Sequence, residues 1–342
     1  MPDALTIDRA IARVKSAQPL SREQMRAVFT LIMTGQVAAE PMGAFLKALA
    51  AKGETVEEIA GAADVMNEHV TRVRCQADCI DTCGTGGDGI STFNVSTAAA
   101  ILAAAAGATV AKHGNRTNTR VSGSAEAVAA LGVNLDAAVS ILERCLSECR
   151  IAFLFAPHLH PAMRHAAPVR RELGIRTIFN LLGPLTNPAG AKRQLLGVPR
   201  PELTETIAQV LAARGATFAW VVHGHNGLCD LTITGPTRVA EVRAGQIRTF
   251  TLSPDEFGLK PSKLDALLVN SAAESAAAIQ AILEGRETSV RRDHALLNAA
   301  AALVVAGLAA DPPQGLRLAE DTIRSGAAAD TLAALVRISA GS

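Results

Sequence analysis

Four glycines fall within six residues, at Gly84, Gly86, Gly87 and Gly89. The apolar pair Cys79-Ile80 leads into them. A run of hydroxyl and amide side chains follows, at Thr92, Asn94, Ser96 and Thr97, and then the alanine-rich stretch Ala98 to Ala106. The order reads as strand, glycine loop, helix N-terminus. Glycine lets backbone N–H groups approach a ligand closely, and the first turn of a helix leaves N–H groups unpaired. Such a place suits an anion, phosphate in particular. A plain tight turn would use the glycines for their backbone alone, and would not call for the hydroxyl and amide run behind them.

Two phosphate motifs can be tested against the loop. Gly84, Gly86 and Gly89 satisfy G-x-G-x-x-G, but the dinucleotide motif also needs an acid about 20 residues on, and none lies between Asp88 and Glu126. The Walker-type loop needs Lys-Ser/Thr after its glycines, and here Gly87 is followed by Asp88. A carboxylate inside a phosphate loop repels its ligand unless a cation or a ribose hydroxyl stands between them. The loop therefore fits a phosphorylated sugar with a metal better than a bare nucleotide phosphate.

The rest of the chain sets this unit in an α/β frame. Residues 1–72 show helical periodicity, with Ser21 and Gln24 spaced as a capping box, Thr55 ahead of Glu57 and Glu58 at a helix start, and the apolar run Met42 to Ala51. From Asp81 onward strands alternate with helices. Thr109 to Lys112, Ala152 to Phe155 and Phe218 to His223 read as strands; Ala125 to Leu131, Leu135 to Cys149 and Pro201 to Arg214 read as helices. Two or three more helices fit residues 264–342. This predicts a small helical domain over 1–72 and a larger α/β domain over 73–342 with a mostly parallel central sheet. Such a sheet binds ligands at the carboxyl ends of its strands, where Gly84 and Lys112 fall.

Composition narrows the function. The net charge of +1 argues against nucleic acid as a partner, because domains that bind it usually carry a basic excess. No apolar run of membrane-spanning length and no signal peptide stands out, so membrane association is not expected and the cytoplasm is the expected location. Of the six cysteines, Cys75, Cys79 and Cys83 recur every fourth residue. Because Ile80-Asp81-Thr82 reads as strand, they need not share a face, and no Cys-x-x-Cys pair supports zinc. Cys145 and Cys149 fit the core side of a helix.

At the level of motifs the chain resembles the anthranilate phosphoribosyltransferases. The resemblance rests on Gly84-Thr85-Gly86-Gly87-Asp88 with Phe93-Asn94-Val95-Ser96-Thr97, then on Lys112-His113-Gly114-Asn115-Arg116 and Ser122-Gly123-Ser124-Ala125-Glu126. It continues through Phe153 to Pro157, His160 to Met163, Pro168-Val169-Arg170, Arg176 to Asn180 and Gly183-Pro184-Leu185. It ends with Thr234 to Val239, Arg292-Asp293 and Leu296 to Ala300. These blocks cover nearly the whole chain in order.

The resemblance implies a nucleoside phosphorylase/phosphoribosyltransferase-like fold in which a segment near residues 163–187 returns to the helical domain. It implies the substrates 5-phosphoribosyl 1-diphosphate (PRPP) and anthranilate, an active site in the cleft between the domains, Mg²⁺, and a homodimer formed through the helical domain. Gly84, Gly87, Asp88, Thr92, Asn94, Ser96, Thr97, Lys112 and Ser124 would hold PRPP. Val95, His113, Gly114 and Arg116 belong to the same substrate-binding motifs. Asn115 and Arg170 would hold anthranilate, beside His160 and Pro184. Ser96 would also touch a metal. No side chain acts as nucleophile, because the anthranilate amine is one already.

Two stretches depart from the family pattern. After Arg116 the chain runs Thr117-Asn118-Thr119-Arg120-Val121, so Arg120 stands where a serine is usual and Val121 where a basic residue is usual. At Asn226-Gly227-Leu228-Cys229-Asp230 the family has Asp-Gly-Leu-Asp-Glu, whose last two acids bind magnesium. Cys229 and Asp230 match those positions, but a neutral thiol is a poor Mg²⁺ ligand. The alternatives are a pyrimidine nucleoside phosphorylase, a related phosphoribosyltransferase with another aromatic acceptor, and a non-catalytic nucleic-acid-binding relative.

Overall fold

The structure is a computed structural model that describes residues 5–117 and 120–341. Asn118 and Thr119 therefore lie outside the described residues. The chain divides into two units. One comprises Met1–Thr71 with Ala156–Pro188, the other Arg72–Phe155 with Ala189–Ser342.

The first unit is built on four helices, Ile7–Lys15, Arg22–Met33, Ala39–Lys52 and Val56–Glu68. Ser21 and Gln24 form the expected capping box on the second. A second box, not foreseen, joins Thr55 and Glu58 on the fourth. Each satisfies N–H groups that a helix start leaves open, worth about 1 kcal/mol. Glu58 does more than cap: its buried carboxylate also accepts the Leu20 N–H at 2.9 Å and pairs with Lys52 at 2.8 Å. Phe29, Phe45, Met25, Ile32, Leu46 and Leu49 fill the core. The returning segment carries the helices Ala156–Leu159, Ala167–Leu173 and Phe179–Leu182 with short 3-10 turns. Phe179 anchors it, with its ring 5.3 Å from that of Phe29.

The second unit holds a seven-stranded sheet: β1 (Cys79–Gly84), β2 (Thr109–Gly114), β3 (Ile151–Phe155), β4 (Arg193–Gly197), β5 (Phe218–Gly224), β6 (Thr237–Arg243) and β7 (Gln246–Leu252). Their order is β3-β2-β1-β4-β5-β6-β7. The first five run parallel to one another; β6 joins β5, and β7 joins β6, antiparallel. The chain winds outward from β1 through β2 to β3, then resumes at β4 on the other side of β1. The carboxyl ends of β1 and β4 thus flank a topological switch point, where open α/β sheets bind ligands.

The sequence reading finds β1, β2, β3 and β5 and misses three strands. β4 is Arg193-Gln194-Leu195-Leu196-Gly197, which opens on two polar residues and has no β-branched or aromatic side chain, unlike the equally short but wholly apolar β3. The β6–β7 hairpin turns on Ala244 and Gly245, both at positive φ (50° and 79°). That is the sign pattern of a type I′ turn, made here by a dipeptide without the usual Asn-Gly signal. The C-terminal region has four α-helices rather than two or three: Ala272–Leu283, Val290–Ala306, Pro312–Arg324 and Ala327–Ser339. Only Ser325 and Gly326 separate the last two, with Gly326 at φ 82°. Val290–Ala306 packs against Val95–Ala105, the helix that follows the glycine loop. Both are rich in buried alanine, which lets them approach closely.

Candidate active site

The glycine loop leaves β1 at Gly84. Gly86, Gly87 and Gly89 have φ of 65°, 87° and 68°, a region L side chains rarely adopt. Among the described residues, chain neighbours aside, no atom lies within 4 Å of where a Cβ at Gly87 would sit, so open space lies along that backbone. Asn94 is the N-cap of Val95–Ala105: its Oδ1 accepts the Thr97 N–H at 3.2 Å and also the Thr97 hydroxyl. Ser275 fixes the Asn94 backbone, its Oγ accepting the N–H at 2.9 Å.

The sequence-predicted residues divide into two sets. Gly84, Gly87, Ser96, Asn115 and Arg116 present surface to solvent. Thr92, Asn94, Val95, Thr97, Lys112 and His113 are buried and support that surface from behind. Thr92 Oγ1 has no hydrogen-bond partner among the described residues. Lys112 lies within β2's buried stretch, its Nζ donating to Thr82 O and lying 3.5 Å from Ser96 Oγ. Burial pushes its pKa down, and Asp81 opposes the shift. The His113 N–H donates to Asp81 Oδ1 at 3.0 Å. Beyond Gly114, Ser124 Oγ donates to Asn115 O at 3.2 Å, and the Arg116 guanidinium lies 5.7 Å from the Phe155 ring centre.

Asp88, an acid where a phosphate loop would not be expected to carry one, has its cation inside the protein. Arg120 Nε donates to Asp88 Oδ1 at 2.6 Å, and a second guanidinium nitrogen donates to Oδ2. The same carboxylate accepts the N–H of Ile90 at 3.3 Å and of Cys229 at 3.1 Å. Its side chain is fully buried. Burial works against the charge of Arg120, but Asp88 outweighs it and the guanidinium pKa rises. Arg120, read from the sequence as a cation that could meet phosphate, is spent on Asp88. The pair ties together the glycine loop, the stretch after Thr119 and the 226–230 turn.

That turn comes very close to β4. A Cβ on Gly197 would lie 1.5 Å from Cys229 O, so no residue but glycine leaves room for the turn. Ser96, Cys229 and Asp230 line one small cleft together with Thr82, Gly197 and Asn298. The structure thus brings the three expected metal-site residues together. Their chemistry differs. Burial pushes the Asp230 carboxyl up to about 7, with Arg120 and Lys112 opposing and Asp88 adding to the shift. A hard divalent cation would relieve that cost, and the Ser96 hydroxyl is a suitable second oxygen. Burial, reinforced by Asp88, pushes the Cys229 thiol well above its ordinary range, so it stays protonated and neutral. Ser96 and Asp230 fit magnesium; Cys229 does not. No group of three or more His, Cys, Asp or Glu side chains gathers as a metal site among the described residues.

Arg170 lies on Ala167–Leu173 in the first unit, its guanidinium 5.1 Å from the Phe179 ring centre. Burial lowers its pKa, and no acid pairs with it among the described residues. A cation stacked on a ring without a counter-ion is prepared for a ligand carboxylate. His160 is buried, and burial pushes its pKa down to about 4. Pro184 is buried in a 3-10 turn.

Sequence reasoning does not find the groups that hold these parts in place: Ser275 on the Asn94 backbone, Gly197 against the turn and Phe179 against Arg170. Phe179 stands in a matched block, but its task depends on a contact that no local spacing encodes.

Known proteins place this arrangement in context. The glycosyl transferase family helical bundle domain matches residues 8–70, and the glycosyl transferase family a/b domain matches residues 76–329. The anthranilate phosphoribosyltransferase of Anaeromyxobacter sp. (strain Fw109-5) is 50% identical over 336 residues, 98% of this chain and 99% of that protein. That of Bradyrhizobium sp. (strain ORS 278) is 50% identical over 96% of this chain and 97% of its own length. The crystal structure of the Thermus thermophilus enzyme of that name superposes with a TM-score of 0.91 at 40% identity, covering 96% of this chain and 99% of the other. The Saccharomyces cerevisiae enzyme in complex with PRPP and Mg superposes with a TM-score of 0.89 at 28% identity, covering 98% of each.

Proposed function

We propose that this chain, which belongs to the anthranilate phosphoribosyltransferase family of glycosyl transferases, transfers the phosphoribosyl group of PRPP to the amine of anthranilate. The products are N-(5-phosphoribosyl)anthranilate and diphosphate, a step of tryptophan biosynthesis. The observation that carries this reading is the open glycine loop with three positive φ values, set at the switch point between β1 and β4.

Displacing diphosphate from C1 of the ribose builds positive charge on the sugar and negative charge on the leaving group. The amine attacks without help from a covalent nucleophile, so catalysis rests on position and electrostatics. Backbone N–H groups around Gly84 and Gly87 and the N-terminus of Val95–Ala105 receive phosphate oxygens. Lys112 adds positive charge from beneath Ser96. The Asp88–Arg120 pair keeps the loop in one shape. Arg170 meets the anthranilate carboxylate in a two-bond fork. Asp230 and Ser96 would hold Mg²⁺, which when bound offsets the charge of the diphosphate.

The same reading includes a homodimer formed through the helical unit, in the cytoplasm. Its support is family membership and six cysteines that form no disulfide. Light scattering coupled to size exclusion measures the oligomer directly.

The activity is tested by following the loss of anthranilate fluorescence on adding PRPP and Mg²⁺, with other aromatic amines as competing acceptors. A folded preparation that consumes no anthranilate, or that prefers another acceptor, sinks this reading.

A further inference from the structure

The turn that carries Asp230 has no regular hydrogen bonding of its own at Leu231, the next residue. Two side chains from one helix supply it. Asn298, on Val290–Ala306 and 1% exposed, accepts the Leu231 N–H through Oδ1 at 3.1 Å and donates from Nδ2 to Leu231 O at 3.0 Å. One side-chain amide thus stands in for a neighbouring strand. Its second Nδ2 hydrogen donates to His294 O at 3.0 Å, which fixes its orientation. His294, fully buried one turn earlier, lies with Nε2 2.8 Å from the same Leu231 O. A carbonyl only accepts, so Nε2 carries the proton. Phe93, from the end of the glycine loop, holds the imidazole edge-on with ring centres 6.0 Å apart.

We propose that Asn298, assisted by His294, is a positioning residue that grips the Leu231 backbone and so sets the neighbouring Asp230 carboxylate opposite Ser96. Three observations converge on this. Both side chains are buried, and both bond the backbone of one residue, Leu231: Asn298 accepts its N–H, and Asn298 and His294 donate to its carbonyl. Asn298 also lines the cleft shared by Ser96 and Asp230. And Val290–Ala306 packs on Val95–Ala105, which carries Ser96 near its start. One helix therefore bears on both sides of the cleft. The proposal rests on the reading that Asp230 serves the metal and diphosphate.

Its test separates the two claims. Hydrogen exchange of the Leu231 amide reports the grip in the free protein, and Mn²⁺ binding in the presence of PRPP, followed by electron paramagnetic resonance, reports the cleft. Asn298→Leu, of similar volume, should speed Leu231 exchange and weaken Mn²⁺, each by about tenfold, the scale of one or two lost hydrogen bonds. The KM for anthranilate should stay within about twofold, while the KM for PRPP rises. His294→Gln keeps an N–H donor and should stay near wild type, whereas His294→Leu should follow Asn298→Leu in kind. These two variants decide the matter if Asn298→Leu does not fold. Unchanged Leu231 exchange and Mn²⁺ affinity in folded Asn298→Leu, or equal behaviour of His294→Gln and His294→Leu, overturns the proposal. If Asp230→Ala leaves Mn²⁺ binding intact, the role given to Asp230 fails, and Leu231 exchange still judges the grip by itself.

Discussion

Asp88 and Asp230 belong to neighbouring loops around one site, yet their surroundings are opposite. Asp88 receives two donors from Arg120 and two backbone N–H groups, and its side chain is sealed from water. Asp230 has no ion pair within 4.0 Å among the described residues, and burial holds its carboxyl up to about 7. The first acid is already neutralised by the protein; the second is left in need of a cation. A sequence shows two aspartates near glycines. Only the surroundings tell the acid that is already paired from the one left open to a cation.

The largest effect should come from the loop that Asp88 braces. Gly87→Val forces a β-branched residue to φ 87° and fills the open space beside the backbone. PRPP binding should vanish in calorimetry while the circular dichroism spectrum stays native, because a loop tip contributes little core. Normal binding by a folded variant would show that the loop's backbone is not the phosphate seat.

Breaking the brace comes next. Arg120→Ser leaves Asp88 buried without its cation, and breaking a buried pair costs about 3–5 kcal/mol. Denaturant unfolding should show that loss, and the double variant Asp88→Asn with Arg120→Ser should recover much of it. If Arg120→Ser instead leaves stability unchanged and weakens only PRPP, Arg120 works on the ligand and the contrast between the two acids collapses.

Arg170→Ala probes the acceptor side. A charge-assisted hydrogen bond contributes about 1.5–3 kcal/mol, so the KM for anthranilate should rise about tenfold to hundredfold, far more than that for PRPP. Equal changes in both would assign Arg170 to general structure.

The smallest effect sharpens the comparison from the other acid. The folded pKa of Asp230 lies above the ordinary carboxylate value of 3.8. Its contribution to stability is therefore present below that value and is lost as pH rises through about 7. Asp230→Asn removes the ionised form, so the metal-free variant should melt a few degrees above wild type at about pH 8, and the gain should shrink toward about pH 5. A gain independent of pH would mean that the carboxyl does not titrate there.

Much of the fold and site is legible in the sequence, for reasons that can be named. The glycine loop, β1, β2, β3 and β5 declare themselves because glycine spacing and apolar runs are local signals. The Ser21–Gln24 box is equally local. β4 and the β6–β7 hairpin escape because one has no β-branched or aromatic residue and opens on Arg193-Gln194, and the other turns on Ala244-Gly245. Arg120 is visible as a displaced charge, but its partner lies 32 residues away. Asn298 acts on Leu231 across 67 residues. Positions that carry chemistry are readable from residue type; positions that aim it become readable only once the chain is folded.

Gly197 shows how such aiming limits the drift of a sequence. By helix or strand preference, by polarity and by size, alanine is the mildest replacement for it. Yet one methyl group there occupies the place of the Cys229 carbonyl oxygen. The strand could accept the change only by expelling the turn, and with it Asp230. Two segments far apart in the chain are therefore bound to one another's history: the turn can be rewritten, as Cys229 illustrates, only in ways that keep its main chain pressed against a bare α-carbon. A survey of tolerated substitutions should find Gly197 immovable although nothing about it is chemical, and Cys229, whose side chain lies in the cleft itself, the freer of the two.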